Sequence, residues 1–386
     1  MTSLQSPAPQ PTQQPAPTPV PTPSTGSGGP VVPAPWAKRH LRAILITTGV
    51  VLLAGGAGAA WAFLRPQTSE PRTTSSQTPA PATPAPTPVT KLSPLTGLPV
   101  SPQEADRPIT AVVIENHTDA RPQSGLADAG VVYEANAEGG ITRFLAIFLD
   151  KRPTSIGPVR SLRTYAIDWA LEFNAPVSHA GGSAEALSLV GPLKMKDINA
   201  LSFGSSAFFR TSDRSAPHNL YTNADKLDAL MTRLGFGVPS NFTPSPRKAD
   251  AKPATAPHPN IHIEYSYNGY QVDYKYDPST NDYARSLGGK PHIDRVSGQQ
   301  IHVKNVVVQM MPTTFGTLAG KPTVSMQTVG TGKCWVMRDG DAIPCTWSKS
   351  SHTSRTKLLD ATGADIPLNA GNTWYAIVPI GKTVTF

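Results

Sequence analysis

The sequence predicts an α/β (or α+β) domain followed by a β-rich domain, both carried by a single N-terminal transmembrane helix with disordered, Pro-rich flanks. Three features predict it. One uncharged apolar run near the N-terminus is long enough to span a bilayer. Residues 92–238 alternate short, continuously apolar runs with helical periodicity, and after residue 260 the apolar pattern changes to period two.

Residues 1–42 read as a Pro-rich cytoplasmic arm ending in a basic cluster. Eleven of the first 35 residues are Pro, and eight more of the 41 fall between Pro66 and Pro94. Such segments carry too little apolar surface to offset chain entropy. Residues 43–64, AILITTGVVLLAGGAGAAWAFL, hold no charge over 22 positions, and at about 1.5 Å per residue they cross a hydrocarbon core of roughly 30 Å. Lys38, Arg39, His40 and Arg42 precede the run, so that side is expected to stay in the cytoplasm and the folded part to lie outside. A cleaved signal peptide has a shorter apolar region, about 7–15 residues, after a short basic start; an uncleaved anchor fits better. Residues 65–91 then form a Pro-rich stem.

In residues 92–238, ITAVVI (109–114), VVYEA (131–135) and FLAIFL (144–149) are continuously apolar, as in strands covered on both faces. Apolar residues at 162, 165, 166, 169, 170 and 173 predict an amphipathic helix, opened by Gly157-Pro158 and capped by Ser161. APVSHA predicts another strand, leading through Gly181-Gly182-Ser183 into a short helix. A further helix is expected from Asn223 to Leu234, stopped by Gly235. Residues 239–260 are polar and Pro-rich, a linker or surface excursion. Beyond it IHIEYSY, YQVDYKY, QQIHVKNVVVQMM and WYAIVPI, with turns at Asn268-Gly269, Asp339-Gly340 and Ala370-Gly371, predict a small barrel or sandwich over 261–386. The length after the stem suffices for two ordinary domains, each with its own core.

The chain has two cysteines, and folding GKCWVMRDGDAIPCTW about the Asp339-Gly340 turn sets Cys334 opposite Cys345 and Pro344 opposite Trp335. A disulfide is the natural reading outside the cytoplasm, although the count places the cysteines at a hydrogen-bonded pair, and two unpaired thiols remain the alternative. The net charge of +8 is uneven: residues 92–238 carry 13 basic against 15 acidic side chains, so the first folded half is no nucleic-acid-binding field. Nucleic acid is not expected as a partner of either domain.

Arginines in the first half sit beside glycines, carboxylates and histidines: Glu115-Asn116-His117, Arg121-Pro122-Gln123, Glu138-Gly139-Gly140 with Arg143, Gly157-Pro158 with Arg160 and Arg163, then Arg210, Asp213, Arg214 and His218. Arg160 and Arg163 fall at the expected helix start, where a cation costs roughly 0.3–1 kcal/mol unless an anion accompanies it. The anion is either a bound phosphate, sulfate or carboxylate or an internal one, Glu115, Glu134 or Glu138. The candidate ligand-binding residues are Arg121, Arg143, Arg160, Arg163, Arg214 and His218; the catalytic candidates are Glu115, Glu138, His117 and His218. No metal-ligand spacing, nucleophile elbow or phosphate-binding loop appears, so neither metal nor cofactor is implied. The tyrosines from Tyr265 to Tyr276 suit sugar stacking or packing equally.

SPLTGLPV, ENHTDARPQSGLADAGVVYEANAEGGITRF, GPVRSLRTY, SAPHNLYT and PHIDRVSGQQIHVKNVVVQ together resemble the YerB-like envelope lipoprotein family, a two-domain family of unknown function, over essentially all of residues 92–386. The resemblance implies an extracytoplasmic bacterial protein tethered to the membrane and transfers no catalytic residue. Family members are anchored through an N-terminal cysteine, whereas the first cysteine here is Cys334, so residues 43–64 would replace the lipid. The expectation is therefore a non-catalytic module binding an anionic envelope ligand (a cell-wall glycan, a teichoic-type polymer or a lipid pyrophosphate) or a protein partner. A hydrolase or transferase acting on a glycan or a lipid-linked phosphate is the alternative.

Overall fold

The computed structural model describes residues 89–318 and 320–386. The Pro-rich arm, the expected membrane helix over 43–64 and nearly all of the stem lie outside the described residues. Among the described residues no helix is long and apolar enough to cross a membrane.

The apolar runs of the first half become β1 (Thr110–Glu115), β2 (Val131–Asn136) and β3 (Thr142–Phe148), each buried along its whole length. Val177–His179 forms β4 and Asp197–Asn199 β5. Helices α1 (Thr164–Leu171), α2 (Ala184–Val190) and α3 (Ala224–Arg233) follow the expected order, and Ser183 and Asn223 cap α2 and α3 by accepting from Ala186 and Lys226 amides. The start of α1 differs from expectation. Residues 157–162 are extended, with Val159 bridging Ile114 and Leu162 bridging Gly182, so Arg163 occupies the capping position and no side chain caps the helix. Arg160 therefore lies outside the first turn.

The second half supplies β6 (Asn260–Glu264), β7 (Gln271–Asp277), β8 (Asp282–Leu287), β9 (Asn305–Met311), β10 (Thr313–Leu318), β11 (Lys321–Met326), β12 (Gly330–Arg338), β13 (Asp341–Lys349), β14 (Lys357–Leu359) and β15 (Thr373–Pro379). It is strand-rich, as expected, but it is not a separate barrel or sandwich. Five of its strands continue the sheet of the first half, giving the ten-stranded order β14-β13-β12-β9-β15-β2-β3-β1-β4-β5. The junction is β15, hydrogen-bonded in parallel to β9 on one side and to β2 on the other. Strands β6 to β8 lie in a second sheet.

The cores divide by face of the large sheet, not by half of the chain. On one face Val112, Ile114, Val132, Val306, Val308 and Trp374 pack with Ile261, Ile263 and Tyr274 of the second sheet and with Leu227 and Leu230 of α3. On the other, Ala111, Val113, Tyr133, Val307 and Ile377 pack with Tyr165, Ala166 and Trp169 of α1 and with Val324 and Met326 of β11. The period-two alternation of β1, β2, β9 and β15 is what sends neighbouring residues to opposite cores. The Pro-rich stretch 239–260 is fastened rather than free: Arg247 donates to the carbonyls of Leu95, Asn369 and Gly371, and Arg247–Lys248 pairs with Leu368–Asn369. The hairpin β12–β13 has the expected register, Cys334 opposite Cys345 and Trp335 opposite Pro344, and the two cysteines are bonded.

Candidate functional site

The sequence-marked residues gather at the carboxyl ends of β1 and β2, where open α/β sheets present their ligand crevices. Two arrangements lie there. In the first, Glu138 holds Arg163 through two hydrogen bonds, with Nη2 2.6 Å from Oε2, and Arg143 Nη1 stands 4.0 Å from the same carboxylate while donating to Ser161 O. Burial pushes the Arg143 guanidinium down to about 10, with Arg163 and Arg160 nearby adding repulsion. Beside it Arg160 Nε lies 2.9 Å from Glu115 Oε1. Both arginines expected at the helix start thus have internal carboxylates, and the three glutamates do not form a carboxylate pair: Glu115 is held by Arg160 and His218, Glu138 by Arg163, and Glu134 by Arg285.

The second arrangement is built on the loop 115–125. Beneath it six buried side chains close a ring of directed hydrogen bonds. Arg285 Nη1 donates to His292 Nδ1, His292 Nε2 to Gln123 Oε1 (2.9 Å), Gln123 Nε2 to Asn116 Oδ1 (2.8 Å), Asn116 Nδ2 to Thr142 Oγ1 (2.7 Å) and Thr142 Oγ1 to Glu134 Oε1 (2.8 Å). Arg285 Nη2 completes it on Glu134 Oε2 at 2.6 Å. Every donor points from the cation toward the carboxylate. Burial and the adjacent Arg285 charge hold His292 well below the usual histidine range, so it is neutral with its proton on Nε2. The ring joins both halves of the chain: four members come from the first and two from the second.

Arg121 rests on this ring. Its Nε donates to Asn116 Oδ1, Nη2 to Asn116 O and Nη1 to Gly269 O, and its guanidinium lies 4.7 Å over the Tyr270 ring. Three of five N–H groups are used, leaving one on each terminal nitrogen. No carboxylate pairs with it among the described residues, and desolvation lowers its pKa. Arg121 and Lys290 line a cleft of about 500 Å³ with Pro122, Leu287, Pro291 and Ile293. Gly288 belongs to the same wall; its φ is +60°, and a side chain there would meet Gly269 O at 3.2 Å.

On the other flank of the loop, His218 Nδ1 bonds Glu115 Oε2 at 3.0 Å and its ring stacks on His117, centroids 4.7 Å apart. Arg214 donates to the carbonyls of Ala120 and Pro122 and to Tyr221, fixing the loop from outside. Arg210 bonds Asn219. His179 is internal to the fold, with Nδ1 on Gly181 O and Nε2 2.6 Å from Asp197. Of the tyrosines, Tyr265, Tyr270, Tyr274 and Tyr276 are buried in the core and Tyr267 is exposed, which favours packing over sugar stacking. Sequence reasoning passed over Asp119, Arg285, Lys290 and His292. The last two stand at or beside PHIDRVSG, whose Asp294 accepts from the Ala127 amide just past the loop, so that motif carried the signal.

Residues 95–237 match the N-terminal domain of a protein family of unknown function (DUF3048), and residues 261–375 match its C-terminal domain. The Bacillus subtilis (strain 168) protein named "Putative lipoprotein YerB" is 33% identical over 290 residues, 74% of this chain and 86% of that protein. The crystal structure of YerB from Bacillus subtilis superposes with a TM-score of 0.69 at 31% identity, covering 77% of this chain and 100% of that one. The unmatched gap between the two family domains falls on the Pro-rich crossing at 239–260, and the ring and the cleft beside the loop 115–125 draw on both domains. The chain belongs to the DUF3048, YerB-like family.

Proposed function

We propose that this is an envelope protein, anchored by residues 43–64 with its folded part on the outer side of the membrane, which binds an anionic, partly apolar envelope ligand in the Arg121–Lys290 cleft. A lipid-linked pyrophosphate fits that chemistry better than a bare glycan. The observation that carries the reading is Arg121: a guanidinium without a carboxylate partner among the described residues, fixed by three hydrogen bonds, keeping one N–H on each terminal nitrogen beside Lys290 and an apolar wall. A held guanidinium binds phosphate with little ordering cost. The word lipoprotein in the relative's name supports the membrane association. Arg143, Arg160 and Arg163 become internal partners in this reading, and Arg214 a brace for the loop.

The test is calorimetric titration with farnesyl pyrophosphate as a soluble probe, beside inorganic pyrophosphate and isolated wall polymer. Expected is salt-sensitive binding of farnesyl pyrophosphate, stronger than of pyrophosphate and reduced about tenfold or more by Lys290→Ala. Affinity unchanged from wild type in both Lys290→Ala and Arg121→Ala would overturn the reading.

A second reading, a hydrolase or transferase, has one observation in its favour: the buried Glu115 orients His218 as a carboxylate orients a general base. Under it, Glu115→Gln abolishes turnover of a lipid-linked phosphate and spares its binding.

A further inference from the structure

On the flank of the loop opposite the cleft, three groups come together that the Arg121–Lys290 cleft does not use. His117, Asp119 and His218 each offer one donor atom, and these atoms all lie within 4.8 Å of one another. Asp119 Oδ2 lies 3.6 Å from His117 Nδ1 and 3.9 Å from His218 Nε2. Those separations are too long for hydrogen bonds and close to the roughly 3.3 Å between donors around a tetrahedral ion whose bonds run about 2.0–2.2 Å. The Asp119 carboxylate has no other cation near it among the described residues and is largely exposed.

The tautomer of His218 is set from behind. Glu115, buried and fixed on β1, accepts the Nδ1 proton at 3.0 Å, which leaves the Nε2 lone pair facing Asp119. A carboxylate behind a histidine whose far nitrogen points outward is the outer support that metal-ligating histidines carry. His117 Nδ1 takes a long 3.3 Å hydrogen bond from the Asp119 amide and its ring stacks on that of His218, so its ligation requires this half-exposed ring to turn out of the stack. The backing of Glu115 is itself doubled, since Arg160 holds its other oxygen.

We infer that His117, Asp119 and His218 form a binding site for a divalent transition-metal ion, with Zn²⁺ the best match to two imidazoles and one carboxylate, and with water or an anionic ligand at the remaining position. Local motif spacing does not reveal it, because the ligands come from positions 117, 119 and 218 and the supporting carboxylate from 115. The inference stands apart from the pyrophosphate reading: the site is built from the opposite flank of the loop, and its test uses the metal alone.

The full-length, untagged chain in detergent, stripped with chelator, is titrated with Zn²⁺ by calorimetry and with Co²⁺ by visible absorption. Expected are one ion per chain and intense four- or five-coordinate Co²⁺ bands. Affinity should fall more than about 100-fold in Asp119→Ala and His218→Ala, and about 10- to 100-fold in Glu115→Gln. Asp119 is exposed, so its alanine variant keeps the fold, which thermal unfolding of the metal-free protein verifies. Absence of binding to the wild-type chain, or binding that survives both Asp119→Ala and His117→Ala, overturns the inference.

Discussion

Two neighbouring groups of arginines in this protein look alike in sequence and differ in what surrounds them. Arg143, Arg160 and Arg163 meet Glu115 and Glu138, so their charge is largely answered inside the molecule. Among the described residues Arg121 meets only carbonyl and amide oxygens and an aromatic face, so its charge is held in place but left open toward a cleft. An arginine beside a glycine and a carboxylate in sequence is therefore ambiguous until it is known which carboxylates arrive through space. The distinguishing property is not burial but whether the neighbours accept hydrogen bonds with or without a negative charge.

The comparison can be broken most severely from below, through the ring that carries Arg121. Glu134→Gln leaves Arg285 buried without its counter-charge and should cost about 3–5 kcal/mol, read as a lowered urea midpoint; an unchanged midpoint would mean the ring is not a structural floor. Alkaline pH probes both regions with opposite signs. Burial raises the Tyr265 and Tyr274 hydroxyls beside the ring above their ordinary value of 10. The stability they contribute is fully present below pH 10 and is lost above it at up to about 1.4 kcal/mol per pH unit for each. Arg143, depressed to about 10 from 12.5, behaves in reverse: its buried charge costs stability below pH 10, and that cost fades as pH rises from 10 to 12.5. The tyrosines outnumber it, so the urea midpoint should fall between pH 9 and 11 (conditions of about one unit either side of the ordinary tyrosine value), and more steeply in Arg143→Met. A shallower fall in that variant would refute the assignment of opposite signs.

Smaller effects separate the two groups directly. Arg163→Ala removes two hydrogen bonds to Glu138 and should cost about 1–2 kcal/mol without altering pyrophosphate affinity. Lys290→Ala, an exposed residue, should change stability by less than about 0.5 kcal/mol while weakening the probe. The reverse pattern, stability without binding at Lys290 and binding without stability at Arg163, would exchange the roles of the two regions.

Much of the secondary structure was legible. Continuous apolar runs gave β1, β2 and β3 because both faces of these strands are covered, and the Asp339-Gly340 turn fixed the cysteine register by counting alone. The start of α1 was misplaced because Gly157-Pro158 opens an extended crossing bonded to β1 and the 181–183 turn, a tertiary constraint with no local sign. The sharing of one sheet by both halves was invisible for a similar reason: β15 is fully buried between two parallel neighbours, and its apolar run suits a sandwich strand equally. At the site, the loop 115–125 was marked by its own residues, whereas Arg285 and His292 were hidden by distance along the chain. Asp119 was hidden by having only an exposed loop position to recommend it.

The placement of β15 has a consequence for biosynthesis. Until residues 373–379 have emerged, β2 has no partner on that side, and the amino-terminal half presents a bare, apolar strand edge to whatever surrounds it. In a chain whose folded part emerges in sequence order, the strand that closes the middle of the sheet arrives long after the strand it pairs with. Folding of the large sheet must then wait for β15 to emerge, with contacts of long sequence separation forming late and aggregation competing meanwhile. A nascent chain stalled before Thr373 should be a ready client for chaperones and proteases, and release of residues 373–379 should end that vulnerability in one cooperative step.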